Sequence, residues 1–140
     1  MSEARAIVIA DPNADERERL AANVAAAAAE LGVRVTLHAA SDGMEALTLI
    51  ERERPSLVVT EILLPALNGL ALIRRLREVR GGAIPLFVYV TSMPRESDRY
   101  WALRNGAHAY VIKPYEDEAL RSRLRMALDE GAEPDKLALL

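Results

Sequence analysis

Five short apolar runs, each closed by a polar or turn-forming residue, alternate along the chain with longer stretches in which apolar residues recur every three or four positions. The runs cover residues 6–10, 33–38, 57–60, 85–90 and 108–112. Runs of this length, rich in β-branched residues, predict strands, and those apolar on both faces predict strands covered on both sides. Residues 33–38 alternate instead, as an outer strand does. Between the runs, Asn13 is placed to cap a helix whose third residue is Glu16. Leu20, Val24, Ala27 or Ala28 and Leu31 give that helix its apolar stripe, and Gly32 stops it. Its alanine-rich middle is strongly helix-forming, and the stripe makes it a packed helix rather than low-complexity sequence. Ser41-Asp42-Gly43 opens a second helix over 44–53, with Ala46, Leu47 and Ile50 on one face. Leu70, Ile73 and Leu76 mark a third, with Arg74, Arg75 and Arg77 outward as a solvated face, ending near Gly81-Gly82. Residues 94–105 predict a fourth helix ended by Gly106. Residues 116–130, with Leu120, Leu124 and Leu128 every fourth position, predict a fifth.

Five strands alternating with five helices, without an internal repeat, predict an α/β fold. Each return to a parallel neighbour needs a right-handed helical crossover, so the expected form is a doubly wound parallel sheet with helices on both faces. At 140 residues, 51% of them apolar, the chain has enough material for one domain with its own core. That domain is expected over residues 1–130, with 131–140 as a tail or the start of a linker. A net charge of -3 on mixed acidic and basic residues leaves no basic stripe interleaved with aromatics, so direct nucleic-acid contact is not expected. The chain contains no cysteine, which removes disulfide frameworks and thiolate metal sites. No apolar run approaches the roughly 18 residues of a membrane span. Met1-Ser2-Glu3-Ala4-Arg5 lacks the layout of a secretory signal, and a cytoplasmic location is the expectation.

Groups at the carboxyl ends of the strands of such a sheet converge at one edge. Asp11, Glu61, Thr91 and Lys113 stand at four of those ends, so two carboxylates, a hydroxyl and an ammonium are expected to share a pocket. The run from Glu61 through Pro65 to Asn68-Gly69, Thr91 fifteen residues before Gly106, and Tyr110-x-x-Lys113-Pro114 complete a pattern. In that pattern the chain resembles the receiver domain of bacterial two-component response regulators over about residues 5 to 130. The resemblance implies a flavodoxin-like fold with strand order 2-1-3-4-5. In that family a strand-three aspartate accepts a phosphoryl group, two acids after strand one and a backbone carbonyl hold Mg²⁺, a hydroxyl and a lysine bind the phosphoryl oxygens, and an aromatic on strand five changes rotamer. Carried over, these roles fall on Glu61, Asp11, the Leu63 carbonyl, Thr91, Lys113 and Tyr110, with a cis Lys113-Pro114 bond.

Two departures shape the expected function. Glu61 stands where the family has aspartate, and Pro12 follows Asp11 where a second acid would serve the metal. Mg²⁺ demands near-octahedral oxygen ligation, so the expected cofactor is none, or weak Mg²⁺ through Asp11, Glu61 and Leu63. Glu61 also reaches one methylene further, which spoils in-line placement but brings a fixed negative charge toward Thr91 and Lys113. The reading is a receiver-like signalling domain, not an enzyme, that works through protein partners without aspartyl phosphorylation. The alternative is a phosphorylatable or Mg²⁺-binding regulator with relaxed chemistry. A purely structural ion pair is a third use for Lys113. An enzyme of flavodoxin or Rossmann shape is disfavoured, since no Gly-x-Gly-x-x-Gly follows the first strand and no Gly-Lys-Ser/Thr loop occurs. His38 and His108 lack companion ligands at metal spacing and are expected on the surface or in strands. Receivers commonly signal through the face of helix four, strand five and helix five, which would here present Tyr100, Trp101, Leu103, His108, Arg121 and Arg125, with Trp101 as an exposed anchor. The acids of the familiar receiver dimer are replaced by His108 and Ala109, while Arg123 and Arg125 remain. A different homodimer or an acidic partner is therefore expected.

Overall fold

Local signals and packing agree along most of the chain. Asn13 caps the first helix by accepting a hydrogen bond from the Glu16 amide at 2.9 Å, and Asp42 caps the second through the Glu45 amide at 2.8 Å. In the computed structural model, which describes residues 4–80 and 84–129, ten elements alternate. The strands are β1 (Arg5–Ala10), β2 (Val35–Ala40), β3 (Leu57–Thr60), β4 (Leu86–Thr91) and β5 (Ala107–Ile112). The helices are α1 (Ala14–Leu31), α2 (Gly43–Glu53), α3 (Gly69–Arg80), α4 (Glu96–Arg104) and α5 (Asp117–Leu128). All strand pairs are parallel, in the order β2-β1-β3-β4-β5. This is the flavodoxin-like doubly wound sheet that the sequence predicts.

Alternation along the strands divides the core into two layers. Val8, Val58, Phe87 and Tyr89 face α2, α3 and α4, where Ile50, Leu72, Ile73, Leu76 and Ala102 meet them. Ile7, Ile9, Val59, Val88 and Val90 face α1 and α5, against Leu20, Val24, Leu120 and Leu124. Burial of each of these larger side chains contributes about 1.5–3 kcal/mol, which is what holds helices to both faces.

Element ends shift slightly from expectation. Gly32 adopts the left-handed conformation, with φ 68°, and the Val33 amide folds back to the Ala28 carbonyl at 2.9 Å. The helix stop thus consumes Val33, and β2 begins at Val35. α4 begins at Glu96 rather than Pro94 because Pro94 and Arg95 precede the helix in extended or irregular backbone, and Arg95 makes no side-chain cap bond. The predicted stop at Gly81-Gly82, the last residue of the fifth helix and the 131–140 tail lie outside the described residues.

Two backbone features fix the loop after β3. The Gly43 amide donates to the Pro65 carbonyl at 3.0 Å, and a Cβ on Gly43 would lie 1.7 Å from the Leu67 carbonyl oxygen. Only glycine lets α2 approach the loop this closely. Register then aligns the strand ends: Ala10 pairs with Thr60, Thr60 with Tyr89, and Thr91 with Ile112. The next residue in three of these strands is Asp11, Glu61 or Lys113, and the Glu61 and Lys113 amides continue the ladder to Ala10 and Thr91 carbonyls.

Candidate functional site

Asp11, Glu61, Thr91 and Lys113 meet at the carboxyl edge of the sheet. Asp11 is 1% exposed; its Oδ1 accepts the Asn13 amide at 2.9 Å and its Oδ2 accepts the Lys113 Nζ at 2.7 Å. Glu61 is 4% exposed. Its Oε2 accepts the amides of Ile62 at 2.6 Å and Leu63 at 3.1 Å, together with the Thr91 hydroxyl. Its Oε1 accepts Lys113 Nζ at 3.1 Å and lies 3.3 Å from the Ser92 amide. One ammonium therefore bridges two buried carboxylates, and the longer glutamate side chain folds back onto its own following turn. The Lys113–Pro114 bond is cis, as the resemblance implies.

Opposed effects set the charges. Burial alone pushes the Glu61 carboxyl up, but the Thr91 hydroxyl, the Leu63 amide and Lys113 outweigh it and hold it below its ordinary value. Burial alone pushes the Lys113 ammonium down, but its hydrogen bond to Asp11 and the charges of Glu61 and Asp11 hold it above the usual lysine range. Glu61 and Lys113 are thus each held toward their charged, paired forms.

Tyr110 lies beside this cluster, 5% exposed, with its hydroxyl donating to the Met93 carbonyl at 2.9 Å. Burial, reinforced by the Asp98 and Glu61 carboxylates, pushes its phenol up to about 12, so it remains a neutral donor. Tyr89 donates to the Gly69 carbonyl at 2.6 Å and ties α3 to the sheet beneath the site.

Several residues stand elsewhere than expected. His108 is 2% exposed and Leu103 is 6% exposed, so neither is available to a partner. Arg121 and Arg125 face α1 rather than α4: Arg121 Nη1 donates to Asn23 Oδ1 at 3.1 Å, and Arg125 Nη1 meets Glu30 Oε2 at 2.7 Å. Of the expected interface, Tyr100 and Trp101 are exposed, at 45% and 61%. His38 lies in β2, 3.6 Å from Glu53 Oε1. What Leu63 brings to Glu61 is its amide, while its side chain is exposed. Ser92 was not singled out from sequence; its place beside Thr91 at the end of β4 was the available signal.

Residues 7–125 match the response regulator receiver domain. The chain belongs to that family. Among relatives of the receiver, response regulator MprA of Mycobacterium sp. (strain KMS) is 41% identical over 105 residues, covering 71% of this chain and 44% of that protein. An uncharacterized 14.6 kDa protein of Leptolyngbya boryana is 36% identical over 108 residues, covering 77% of this chain and 78% of its own length. A putative response regulator from Chloroflexus aurantiacus J-10-fl shares the fold, with a TM-score of 0.76 at 24% identity, over 90% of this chain and 98% of that one. The receiver spans less than half the length of the first curated relatives it matches. Receiver domains of response regulators serve signal transduction and interact with partner proteins, and they are generally non-enzymatic. Among the described residues of this receiver, no helix is long and apolar enough to cross a membrane.

Proposed function

We propose that this receiver is a signalling module whose switch is set by Glu61 itself rather than by aspartyl phosphorylation, and that it acts on protein partners in that fixed conformation. The observation that carries this reading is the single Glu61 carboxylate, bonded at once to the Thr91 hydroxyl and the Lys113 ammonium. In the receiver family those two groups bind the oxygens of the phosphoryl group. Here they are already engaged by an anion that the chain supplies, and Tyr110 is already buried and tethered to Met93.

The same bonds make Glu61 a poor acceptor. A nucleophilic carboxylate needs a free lone pair aimed at phosphorus, and each Glu61 oxygen instead takes hydrogen bonds that lower its basicity. Mg²⁺ fits this donor set badly. Lys113 lies between Asp11 and Glu61 where a cation would have to bridge them, Pro12 offers no carboxylate, and among the described residues no third acid joins the two. A divalent ion would have to displace the ammonium and leave it near added positive charge.

Intact mass after incubation with acetyl phosphate and MgCl₂ tests the reading. The expected result is no stoichiometric phosphoryl adduct. An acid-labile gain of one phosphoryl group that disappears in Glu61→Gln would overturn it, as would saturable Mg²⁺ binding abolished by Asp11→Asn.

A further inference from the structure

Helices α3 and α4 cover the same layer of the core, and a groove of about 220 Å³ opens between them, lined by Leu70, Arg74, Trp101 and Asn105. Its end is braced: Arg77 Nη2 donates to the Asn105 carbonyl at 2.5 Å, and Asn105 Nδ2 donates to the Trp101 carbonyl at 2.8 Å. Trp101 contributes little to the core, since α4 buries Ala102 and Leu103 instead. A large aromatic left 61% exposed at the wall of a concave, partly apolar groove has the composition and shape of an interface anchor.

Charge identifies the partner's chemistry. Although the chain is acidic overall, at -3, arginines gather at this groove. Several other arginines meet acids, as in Arg19–Asp117 at 2.8 Å, Arg52–Glu53 at 2.6 Å and Arg95–Asp98 at 2.8 Å. Arg74 and Arg75 are exposed, and neither has an ion-pair partner among the described residues. They line a shallow hollow beside the groove, with Leu67, Ala71 and Glu78. A nucleic acid would need a longer cationic stripe with stacking surfaces along it, and Glu78 interrupts this one.

We propose that the α3–α4 groove receives an acidic, amphipathic segment of a partner protein. A large apolar side chain of that segment seats between Leu70 and Trp101, and its carboxylates meet Arg74 and Arg75. This rests on the reading that the receiver works through protein partners, and it does not depend on whether Glu61 can be phosphorylated. It also replaces the face that includes α5 with one centred on α3 and α4.

Trp101 is the single tryptophan of the chain, so its emission reports on the groove directly. The full chain is titrated with a short synthetic helix bearing leucine on one face and glutamate on the other, and with the same peptide carrying lysine for glutamate. The expected result is a saturable blue shift with the glutamate peptide and none with the lysine peptide. Arg74→Glu should weaken the glutamate peptide about tenfold or more and confer binding of the lysine peptide. Trp101→Ala, followed by anisotropy of labelled glutamate peptide, should weaken it by a similar factor with its melting temperature little changed. No binding, equal binding of both peptides, or indifference to Arg74→Glu would overturn the proposal. Displacement of the peptide by a single-stranded oligonucleotide, or a concentration-dependent shift without peptide, would also overturn it, assigning the groove to nucleic acid or to a second copy. Acetyl phosphate treatment and intact mass on the same samples read the Glu61 proposal separately, so either can fail alone.

Discussion

Lys113 decides how the two buried acids of the site can coexist. Its side chain is 22% exposed while those of Asp11 and Glu61 are 1% and 5% exposed, so the cation reaches solvent and the anions do not. Removing one member of a buried charge cluster leaves the rest unpaired, and Lys113→Met is expected to cost on the order of 3 kcal/mol in urea unfolding. The pH dependence follows from the directions of the shifts. Glu61 is held below its ordinary 4.5, so its contribution is complete above that value and is lost as pH falls through the folded-state value. Lys113 is held above its ordinary 10.5, so its contribution is complete below that value and is lost as pH rises through the folded-state value. Glu61→Gln should therefore be less stable near neutrality and decline less steeply toward acid than the parent. A parallel decline in both proteins would remove Glu61 from the acid limb. Glu61, Asp11, Thr91 and Lys113 were legible in the sequence because each ends a strand. The Ile62 and Leu63 amides were not, because they depend on how a side chain folds over its own turn.

At the scale of elements, the close contact of α2 with the β3–α3 loop carries a specific liability. Gly43→Ala would drive a methyl group into the Leu67 carbonyl, a backbone obstacle that cannot rotate away. The expected loss is about 2 kcal/mol or more, with displacement of the loop that follows Glu61, and chemical denaturation alongside amide chemical shifts of residues 62–68 would show both. An unchanged midpoint would mean that α2 moves freely. Element type and order were legible because short, mostly continuous apolar runs give way to stretches in which apolar residues recur every three or four positions. Which neighbour a helix face meets was not. Arg121 and Arg125 share a polar face of α5, and only the tertiary packing of α5 against α1 turns that face toward Asn23 and Glu30. His108 illustrates the same limit for strands, because a polar residue in β5 gives no sign in sequence that it will be buried.

Across the whole molecule, the sheet joins two apolar layers that must hold together. Leu124 is fully buried in the layer formed with α1 and α5, on the opposite face from α4 and Trp101. Leu124→Ala should destabilise the chain by about 2–5 kcal/mol, and the shift should be the same whether unfolding is followed by Trp101 emission or by far-ultraviolet circular dichroism. Separate midpoints would show that the two layers melt independently. The parallel sheet with helices on both faces was legible because five strand–helix units with right-handed crossovers admit few arrangements, while the strand order came with the resemblance to the receiver family. The charge cluster at its edge adds a property of another kind. Surface ion pairs are screened over a Debye length of about 10 Å at 0.1 M salt, but Asp11 and Glu61 are withdrawn from solvent and meet Lys113 at 2.7 and 3.1 Å. Ionic strength therefore has little purchase on the bridge that Lys113 makes. The stability difference between the parent and Glu61→Gln should hold nearly constant from low salt to molar sodium chloride, so the bridge would persist in a strongly saline medium.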